Sequence, residues 1–298
     1  MSATVRAALP ADLDKLVSLL DAEFIFAKGR QISLARRYPS VYCPENAKNI
    51  FLVEEEGLIL SALAAKIFDW NADGRGCRGV MIGAVYTQTK RRGEGLASQL
   101  LAMASEKFRQ DKLEFAVLWT DQPGFYTRLG WIASDCGMLG KMDNDGRATT
   151  PSLAVGKIPL ESLDINRIEA IRRRWSSAYI PRRSENYSQL PVPADTMNLL
   201  TWGEGIETAG YAIVGGRGET GILYEMAGHP DSFPPLWQSV SQAYRHILVN
   251  DCQGSASHRW LSRIDRLSWQ AKPLALWLPL NIGMADLPHN YIPYFDRI

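Results

Sequence analysis

The chain has 298 residues, of which 46% are hydrophobic and 22% are charged, and its formal net charge is +1. This length suits two domains of ordinary size, and the composition excludes a disordered chain. The near-neutral charge argues against a general attraction to nucleic acid or to an anionic membrane surface. No apolar run is long enough to span a bilayer, so we expect no membrane partner.

The cysteines and histidines are scattered along the sequence. The cysteines are Cys43, Cys77, Cys136 and Cys252, and they include no CxxC pair. The four histidines form no cluster at metal-ligand spacing. This pattern favours free thiols over a disulfide framework or a zinc site, and the N-terminus lacks the apolar core of a secretory signal. We therefore expect a cytoplasmic protein that holds no metal.

The first half of the sequence alternates strands and helices. Apolar periodicity predicts, in chain order, a strand at 4–7, helices at 10–23 and 32–37, strands at 50–54 and 58–68 joined by a hairpin turn, a strand at 78–87, a helix at 95–110 and a strand at 115–119. The strand at 115–119 is nearly all apolar, which indicates burial on both faces. A short segment at 125–129 and further strand-like residues from Trp131 follow.

The second half repeats this order of elements. The polar stretch at 143–152 is rich in turn formers and is the best candidate for a linker. After it, the pattern predicts a helix at 163–177, strands at 197–202, 209–214 and 222–227, a helix at 236–249 and a strand at 259–267. The second half therefore resembles a weak, diverged repeat of the first, and we expect domains at 1–145 and 153–298.

The junction between the strand at 78–87 and the following helix carries the clearest chemical signal. Gly93 and Gly95 remove side chains where the backbone must approach a ligand. The free amides at the start of the helix, together with Lys90, Arg91 and Arg92, suit an anion such as a pyrophosphate. The segment is neither a GxxxxGK[ST] loop nor a GxGxxG loop, because it has Ser98 where the latter requires its third glycine.

Two motifs together resemble the GNAT superfamily of N-acetyltransferases. The run 92–97 resembles its (Q/R)xxGx(G/A) loop for acetyl-CoA, and the run 121–131 resembles its second signature, an aromatic-Tyr pair, a basic residue and a Gly-aromatic pair. The resemblance covers about the first 145 residues. It implies an α/β (α+β) fold in which helices flank a central mixed, mostly antiparallel sheet, followed here by a second diverged GNAT-like domain.

The segments around Arg37–Pro39, 46–56 and 121–131 narrow the resemblance to the branch of the enhanced-intracellular-survival acetyltransferases. Members of that branch have a GNAT domain, a GNAT-like domain without a cofactor loop and a sterol-carrier-type domain. We expect the third domain to be absent from this sequence. In the second half, the segment between the strand at 222–227 and the next helix contains three prolines, which cannot offer a full set of amides to a phosphate.

The resemblance also implies an activity and the residues that serve it. The activity is direct transfer of an acetyl group from acetyl-CoA, the cosubstrate, to a primary amine, with Tyr126 as the general acid. The implied cofactor-binding residues are Val85, Tyr86, Thr87, Arg91, Arg92, Gly93, Glu94, Gly95, Leu96, Ala97 and Ser98. The acceptor is a small-molecule amine or a peptide or protein lysine, and the branch suggests a homo-oligomer.

The general base stays open at this point. Glu23 follows the first helix, and Asp69 and Asp121 each follow a strand. The branch that the sequence resembles assigns the role to its C-terminal carboxylate, which corresponds here to Ile298. The second domain is expected either to wall the acceptor site or to form an oligomer interface.

Two other functions are compatible with parts of the sequence. A non-catalytic acetyl-CoA-binding sensor or regulatory module would retain the loop and would not need Tyr126. Nucleic-acid binding could use the basic run Arg172–Arg174 with Trp175, Arg182 and Arg183, since cations interleaved with aromatics can contact phosphates and bases. The near-neutral charge and the helical spacing of the run argue against the second of these.

Overall fold

The structure is a computed structural model that describes residues 3–72, 74–144, 156–159, 164–176, 178–181, 196–287 and 291–298. Most of the predicted linker at 143–152, and the predicted nucleic-acid contacts Arg182 and Arg183, lie outside these residues. No helix in the described part of the chain is long and apolar enough to cross a membrane.

The strands, in chain order, are β1 (Thr4–Ala7), β2 (Ile50–Glu55), β3 (Leu58–Ala72), β4 (Arg75–Thr87), β5 (Phe115–Trp119), β6 (Ile132–Ala133), β7 (Gly137–Asp143), β8 (Gly156–Pro159), β9 (Ala178–Tyr179), β10 (Thr196–Trp202), β11 (Gly210–Arg217), β12 (Thr220–Gly228), β13 (His246–Cys252), β14 (Ser268–Ala271) and β15 (Ala275–Pro279). The α-helices are α1 (Leu13–Phe24), α2 (Leu34–Arg37), α3 (Leu96–Gln110), α4 (Pro123–Thr127), α5 (Ile165–Trp175), α6 (Phe233–Ala243) and α7 (Ala256–Leu261).

Within the described residues, eight strands form the first sheet, in the order β1-β2-β3-β4-β5-β15-β6 with β9 on β3. The pairs are antiparallel except β4 and β5, which run parallel because α3 crosses over between them. The apolar stripe of α3, including Leu100, Ala104 and Phe108, packs on one face of the sheet. On the other face α1 buries Leu16 and Leu20. The sheet is therefore covered on both faces.

The second sheet has the order β14-β7-β13-β12-β11-β10-β8 among the described strands. Here too the one parallel pair, β12 with β13, flanks a crossover helix, α6. Gly218 and Glu219 join β11 to β12 as a hairpin turn, since Arg217 and Thr220 pair directly. Strand, hairpin, strand, helix and parallel strand thus recur in both halves, and the predicted fold class is confirmed.

The two sheets exchange strands across the predicted division at residue 145. β7, which precedes that division, pairs with β13 in the second sheet. β15, which lies near the end of the sequence, pairs with β5 in the first sheet. The predicted domains at 1–145 and 153–298 stay a prediction, and the chain crosses between the sheets twice in the described residues.

Two predicted elements of the second half are wrong. The helix predicted at 236–249 ends at Ala243, because Tyr244 takes an extended conformation, and residues 246–252 form strand β13. The segment predicted as a strand at 259–267 instead begins within helix α7. The N-terminus of α7 is capped by Ser255, whose hydroxyl oxygen accepts a hydrogen bond from the amide of His258. Short apolar runs fit a helix or a buried strand equally well, so periodicity misassigned both.

Candidate active site

Strands β4 and β5 pair only at their first residues and then separate. The parallel register runs from Gly79 opposite Phe115 to Met81 opposite Val117. A Cβ at Gly79 would lie 2.5 Å from Cε2 of Phe115, so glycine is needed for the strands to approach there. Beyond Met81, β4 continues to Thr87 without β5 beside it, and a cleft opens between the two strands.

A β-bulge distorts β4 where the cleft opens. Tyr86 pairs with Ala62 and Gly83 pairs with Ala64, so Ala84 and Val85 together face a single residue of β3. Ala84 has a φ of +47°, a left-handed conformation that is uncommon for a residue with a side chain. A bulge leaves its extra residue outside the ladder, so the backbone here can offer polar groups to a ligand in the cleft.

The loop after β4 leads into α3 with an open N-terminus. Gly93 and Gly95 have φ values of +90° and +80°, and a Cβ on either would meet no atom within 4 Å. Gly95 is the N-cap residue, and no side chain caps the helix. The first amides of α3 therefore remain available to an anion, and the positive end of the helix dipole lies behind them.

The three cations of the loop have different surroundings. Arg91 is held by two carboxylates, Glu55 at 2.9 Å and Glu94 at 2.8 Å. Arg92 pairs with Glu23 near the end of α1, with 2.9 Å between Nη2 and Oε1. The Arg91 guanidinium is therefore already neutralised on two sides, whereas Arg92 makes a single exposed ion pair that a phosphate could replace.

One large cavity joins these features. Its volume is about 1320 Å³, and it is lined by α1 and α2 on one side, by the second half of β4 and the loop at its centre, and by the end of β5 with α4 on the other side. All predicted cofactor-binding residues except Glu94 line it. The side chain of Glu94 points instead to Arg91.

Tyr126 lies on α4 and faces the same cavity. Its ring packs against Phe125 and Trp131, with centroid distances of 4.9 and 6.2 Å. Its hydroxyl makes no hydrogen bond with a described residue, and burial raises the pKa of Tyr126 to about 12. The hydroxyl is therefore protonated throughout the neutral range and can donate its proton to a group in the cavity.

The structure brings three of the four base candidates to the cavity. Glu23, Asp121 and Ile298 line it. Ile298 lies close to β4: its main-chain carbon and oxygen are each 3.4 Å from the position that a Cβ would take on Gly83. Asp69 lies elsewhere, on an exposed part of β3 beside Arg78, with 3.8 Å between Oδ1 and Nε.

Several lining residues were not predicted from the sequence. The aromatic residues Phe24, Tyr38 and Tyr42 line the cavity near α1 and α2, and Lys272 and Leu274 reach it from the loop before β15. Phe24 ends α1, and Tyr38 and Tyr42 follow the short helix α2, where little periodicity marks them. Lys272 and Leu274 are distant in sequence, and their position depends on the pairing of β15 with β5, which no local pattern indicates.

The second half has no equivalent loop in its described residues. A 3-10 turn at Pro230–Ser232 leads into α6, whose first turn contains Pro234 and Pro235 and so lacks a full set of amide donors, as predicted. The basic run of α5 is not a continuous exposed surface either, because Arg172 is 1% exposed. A buried guanidinium cannot contact phosphates, which removes Arg172 from the residues of the nucleic-acid hypothesis.

Comparison with known families agrees with the geometry of the first sheet. Residues 4–133 match the family described as acetyltransferase (GNAT) domain. These residues therefore form a GNAT acetyltransferase domain, and the expected acyltransferase class is confirmed. No match was found among curated proteins.

Solved structures extend the likeness to both sheets. A probable N-acyltransferase of unknown function from Enterococcus faecalis has a TM-score of 0.72 at 13% identity, with 94% of this chain and 73% of that chain covered. Eis1 from Mycobacterium abscessus has a TM-score of 0.63 at 9% identity, with coverages of 94% and 74%. A tandem GNAT protein from the clavulanic acid biosynthesis pathway has a TM-score of 0.57 at 10% identity, with coverages of 95% and 100%. At these identities the likeness concerns the fold alone, and it agrees with the predicted fold class.

Proposed function

We propose that this protein transfers the acetyl group of acetyl-CoA directly to a primary amine, with Tyr126 as the general acid. The observation that carries the proposal is that the bulge of β4, the glycine loop and Tyr126 all line one cavity. The loop supplies an anion site, the bulge supplies backbone polar groups, and Tyr126 supplies a proton. Thioester aminolysis uses all three of these functions, together with a group that accepts the proton of the amine.

The residues present fit acetyl-CoA. The uncapped N-terminus of α3 and the exposed Arg92 would hold the pyrophosphate, since the space beside Gly93 and Gly95 is open for a ligand. The backbone at Val85 and Tyr86 would hold the pantetheine arm and polarise the thioester carbonyl. When bound, acetyl-CoA would supply the activated acetyl group.

The residues of the chain are assigned two proton transfers, one to the departing sulfur and one from the attacking amine. The amine nitrogen would form its bond to the acetyl carbon as the carbon–sulfur bond breaks. Tyr126 would give its hydroxyl proton to the departing sulfur, and a carboxylate would take a proton from the amine. Holding both reactants in one cavity would supply a large part of the rate acceleration.

The proton acceptor is proposed among the candidates that line the cavity. Glu23 is engaged by Arg92, and a phosphate that draws Arg92 away would free the Glu23 carboxylate. Asp121 lies beside the end of β5, and Ile298 lies beside Gly83 on β4. Asp69 is dropped, because it lies outside the cavity. Replacing Glu23 by Gln and Asp121 by Asn, one at a time, would show which carboxylate controls the acidic limb of the pH profile of kcat/KM.

The acceptor is proposed as a primary amine, either on a small molecule or on a peptide or protein lysine. The cytoplasmic location expected from the cysteine pattern and the oligomeric state expected from the resemblance stay predictions. Gel filtration with light scattering would measure the second directly.

The first experiment measures thermal unfolding with and without acetyl-CoA. Binding to the folded state at a hundred times the Kd adds about 2.7 kcal/mol to the free energy of unfolding, which raises Tm by several degrees. We expect this rise in the wild type and none in the double variant Arg92→Ala, Gly95→Trp. The matched control is Arg259→Ala, Gly254→Trp, since Gly254 also has a φ of +80° with open space around it but lies away from the cavity.

Amine-dependent release of coenzyme A thiol, measured over a panel of amines, then tests turnover. A cofactor-induced rise in Tm without turnover on any amine class would support the sensor alternative. Absence of a rise at millimolar acetyl-CoA would reject the cofactor site itself.

A further inference from the structure

Residues 292–298 connect the two sheets. The ring of Tyr294 stacks on Tyr224 of β12, with 5.6 Å between centroids and 21° between ring planes, and Phe295 is fully buried in the core between α5 and the second sheet. Three residues later, Ile298 lies against Gly83 of β4 and lines the cavity. This segment, called the bridging segment below, therefore extends from the core of the second sheet into the site of the first.

The second sheet holds the bridging segment through a buried arginine. Arg172 of α5 is 1% exposed and pairs with three carboxylates: Glu169 at 2.9 Å, Glu225 at 3.2 Å and Asp296 at 3.3 Å. Its Nη1 also donates a hydrogen bond to the carbonyl of Ile180 at 2.9 Å. The carboxylates come from three elements, namely α5, β12 and the bridging segment. Such a cluster fixes all three relative to one another, because moving any of them would leave a buried charge without its partner.

Arg297, the residue after Asp296, fixes the bridging segment on the side of the first sheet. The Arg297 guanidinium lies over the rings of Trp119, Tyr291 and Tyr294, at 5.0, 5.1 and 5.5 Å. Its Nε donates a hydrogen bond to the carbonyl of Ile292 at 2.9 Å. Trp119 ends β5 and lines the cavity. Asp296 and Arg297, the two residues before Ile298, thus fix adjacent points of the segment on the sides of the two sheets.

The place that Ile298 occupies matters for the reaction. Gly83 directly precedes the bulged pair of β4, and its Cβ position points to the face of the sheet that α1 and α2 cover. The side chain of Ile298 packs in the same cluster as α1 residues. Ile298, at the end of the bridging segment, therefore forms part of the cavity wall on the face opposite α3, on the side left for the acceptor when the loop holds the cofactor.

From this geometry we infer that Arg172 is a positioning residue. Through Asp296 it holds the bridging segment so that Ile298 forms the acceptor-side wall of the cavity. The inference rests on the proposed acetyl transfer for its kinetic consequence and gives the second sheet a defined part in catalysis. It assigns Arg172 no contact with either substrate.

The test compares two variants that remove one partner each from the same arginine. Asp296→Ala cuts the tie to the bridging segment, while Glu169 and Glu225 continue to compensate the guanidinium. Glu169→Ala removes a partner three residues away on the same helix and leaves the tie intact. We expect Asp296→Ala to lower kcat/KM for the acceptor at least about tenfold and Glu169→Ala to change it less than about threefold. Asp296→Asn, which keeps a hydrogen-bond acceptor, should restore part of the loss.

Two further readouts separate positioning from folding and from the proposed function. Both variants should retain the rise in Tm with acetyl-CoA, because neither substituted residue lines the cavity. Hydrogen exchange of residues 297 and 298 should accelerate in Asp296→Ala alone. Equal kinetic loss in both variants, or unchanged exchange in Asp296→Ala, would overturn the inference. If the wild type acetylates no amine, the proposed function fails, and the exchange measurement alone then decides whether Arg172 positions the segment.

Discussion

Replacing Tyr126 by phenylalanine removes one hydroxyl from the cavity and leaves the aromatic packing in place. The ring keeps its contacts with Phe125 and Trp131, and the lost hydroxyl had no hydrogen-bond partner among the described residues. The free energy of unfolding should therefore change by less than about 0.5 kcal/mol. A general acid typically contributes about 10²–10⁴-fold to the rate, which corresponds to roughly 3–5 kcal/mol in the activation barrier.

The assay is steady-state release of coenzyme A thiol at saturating acetyl-CoA, with the best amine from the screen. We expect kcat to fall by at least about a hundredfold while the cofactor-induced rise in Tm is unchanged. Tyr86→Phe is the matched control, because it removes a different tyrosine hydroxyl from the same cavity. Retention of more than about a third of kcat in Tyr126→Phe would refute the general-acid role.

The pH dependence gives a second check on the same residue. Burial raises the pKa of Tyr126 to about 12, so the hydroxyl keeps its proton well above neutral pH. The sign follows directly: a raised pKa delays deprotonation and shifts any loss of the acid to higher pH. The kcat of the wild type should therefore show no decline from this group up to about pH 10, the ordinary pKa of tyrosine. A decline that begins near pH 8 and is absent from a Tyr126 variant would contradict the assignment.

Three further perturbations test the local geometry. Gly95→Ala forces a side chain into a left-handed conformation, and calorimetry should show a loss of roughly 1–2 kcal/mol together with weaker acetyl-CoA binding. Gly79→Ala places a Cβ 2.5 Å from an aromatic ring of β5 and should cost about 1–3 kcal/mol, whereas Gly76→Ala, with no atom within 4 Å, should cost far less. The Sγ atoms of Cys136 and Cys252 are 3.0 Å apart. Treatment with a low-molecular-weight disulfide should therefore join these two residues in an internal disulfide and remove two of the four titratable thiols of the wild type. Cys136→Ser should form no internal disulfide, and mass spectrometry would distinguish the two products.

The sequence alone determined the parts of the site that depend on neighbouring residues. A strand, a glycine loop and an amphipathic helix follow one another directly, so the candidate anion site at Gly93 and Gly95 was predictable from spacing. Tyr126 was likewise singled out as a candidate general acid by its immediate neighbours within a short motif. The family match at residues 4–133 and the repeated order of elements confirmed the fold that these local signals predicted.

Only the tertiary structure decided which distant residues meet in the cavity. The bulge at Ala84 depends on the register between β3 and β4, and Lys272 reaches the cavity because β15 pairs with β5. The cluster around Arg172 joins residues more than a hundred positions apart, and the sequence had grouped that arginine only with the basic run Arg172–Arg174. Strand pairing and buried ion pairs are formed by residues that are not neighbours in the chain, so periodicity carries no trace of them. The same reason explains why Glu23 could be placed beside Arg92 only after folding, although both residues had been singled out from the sequence.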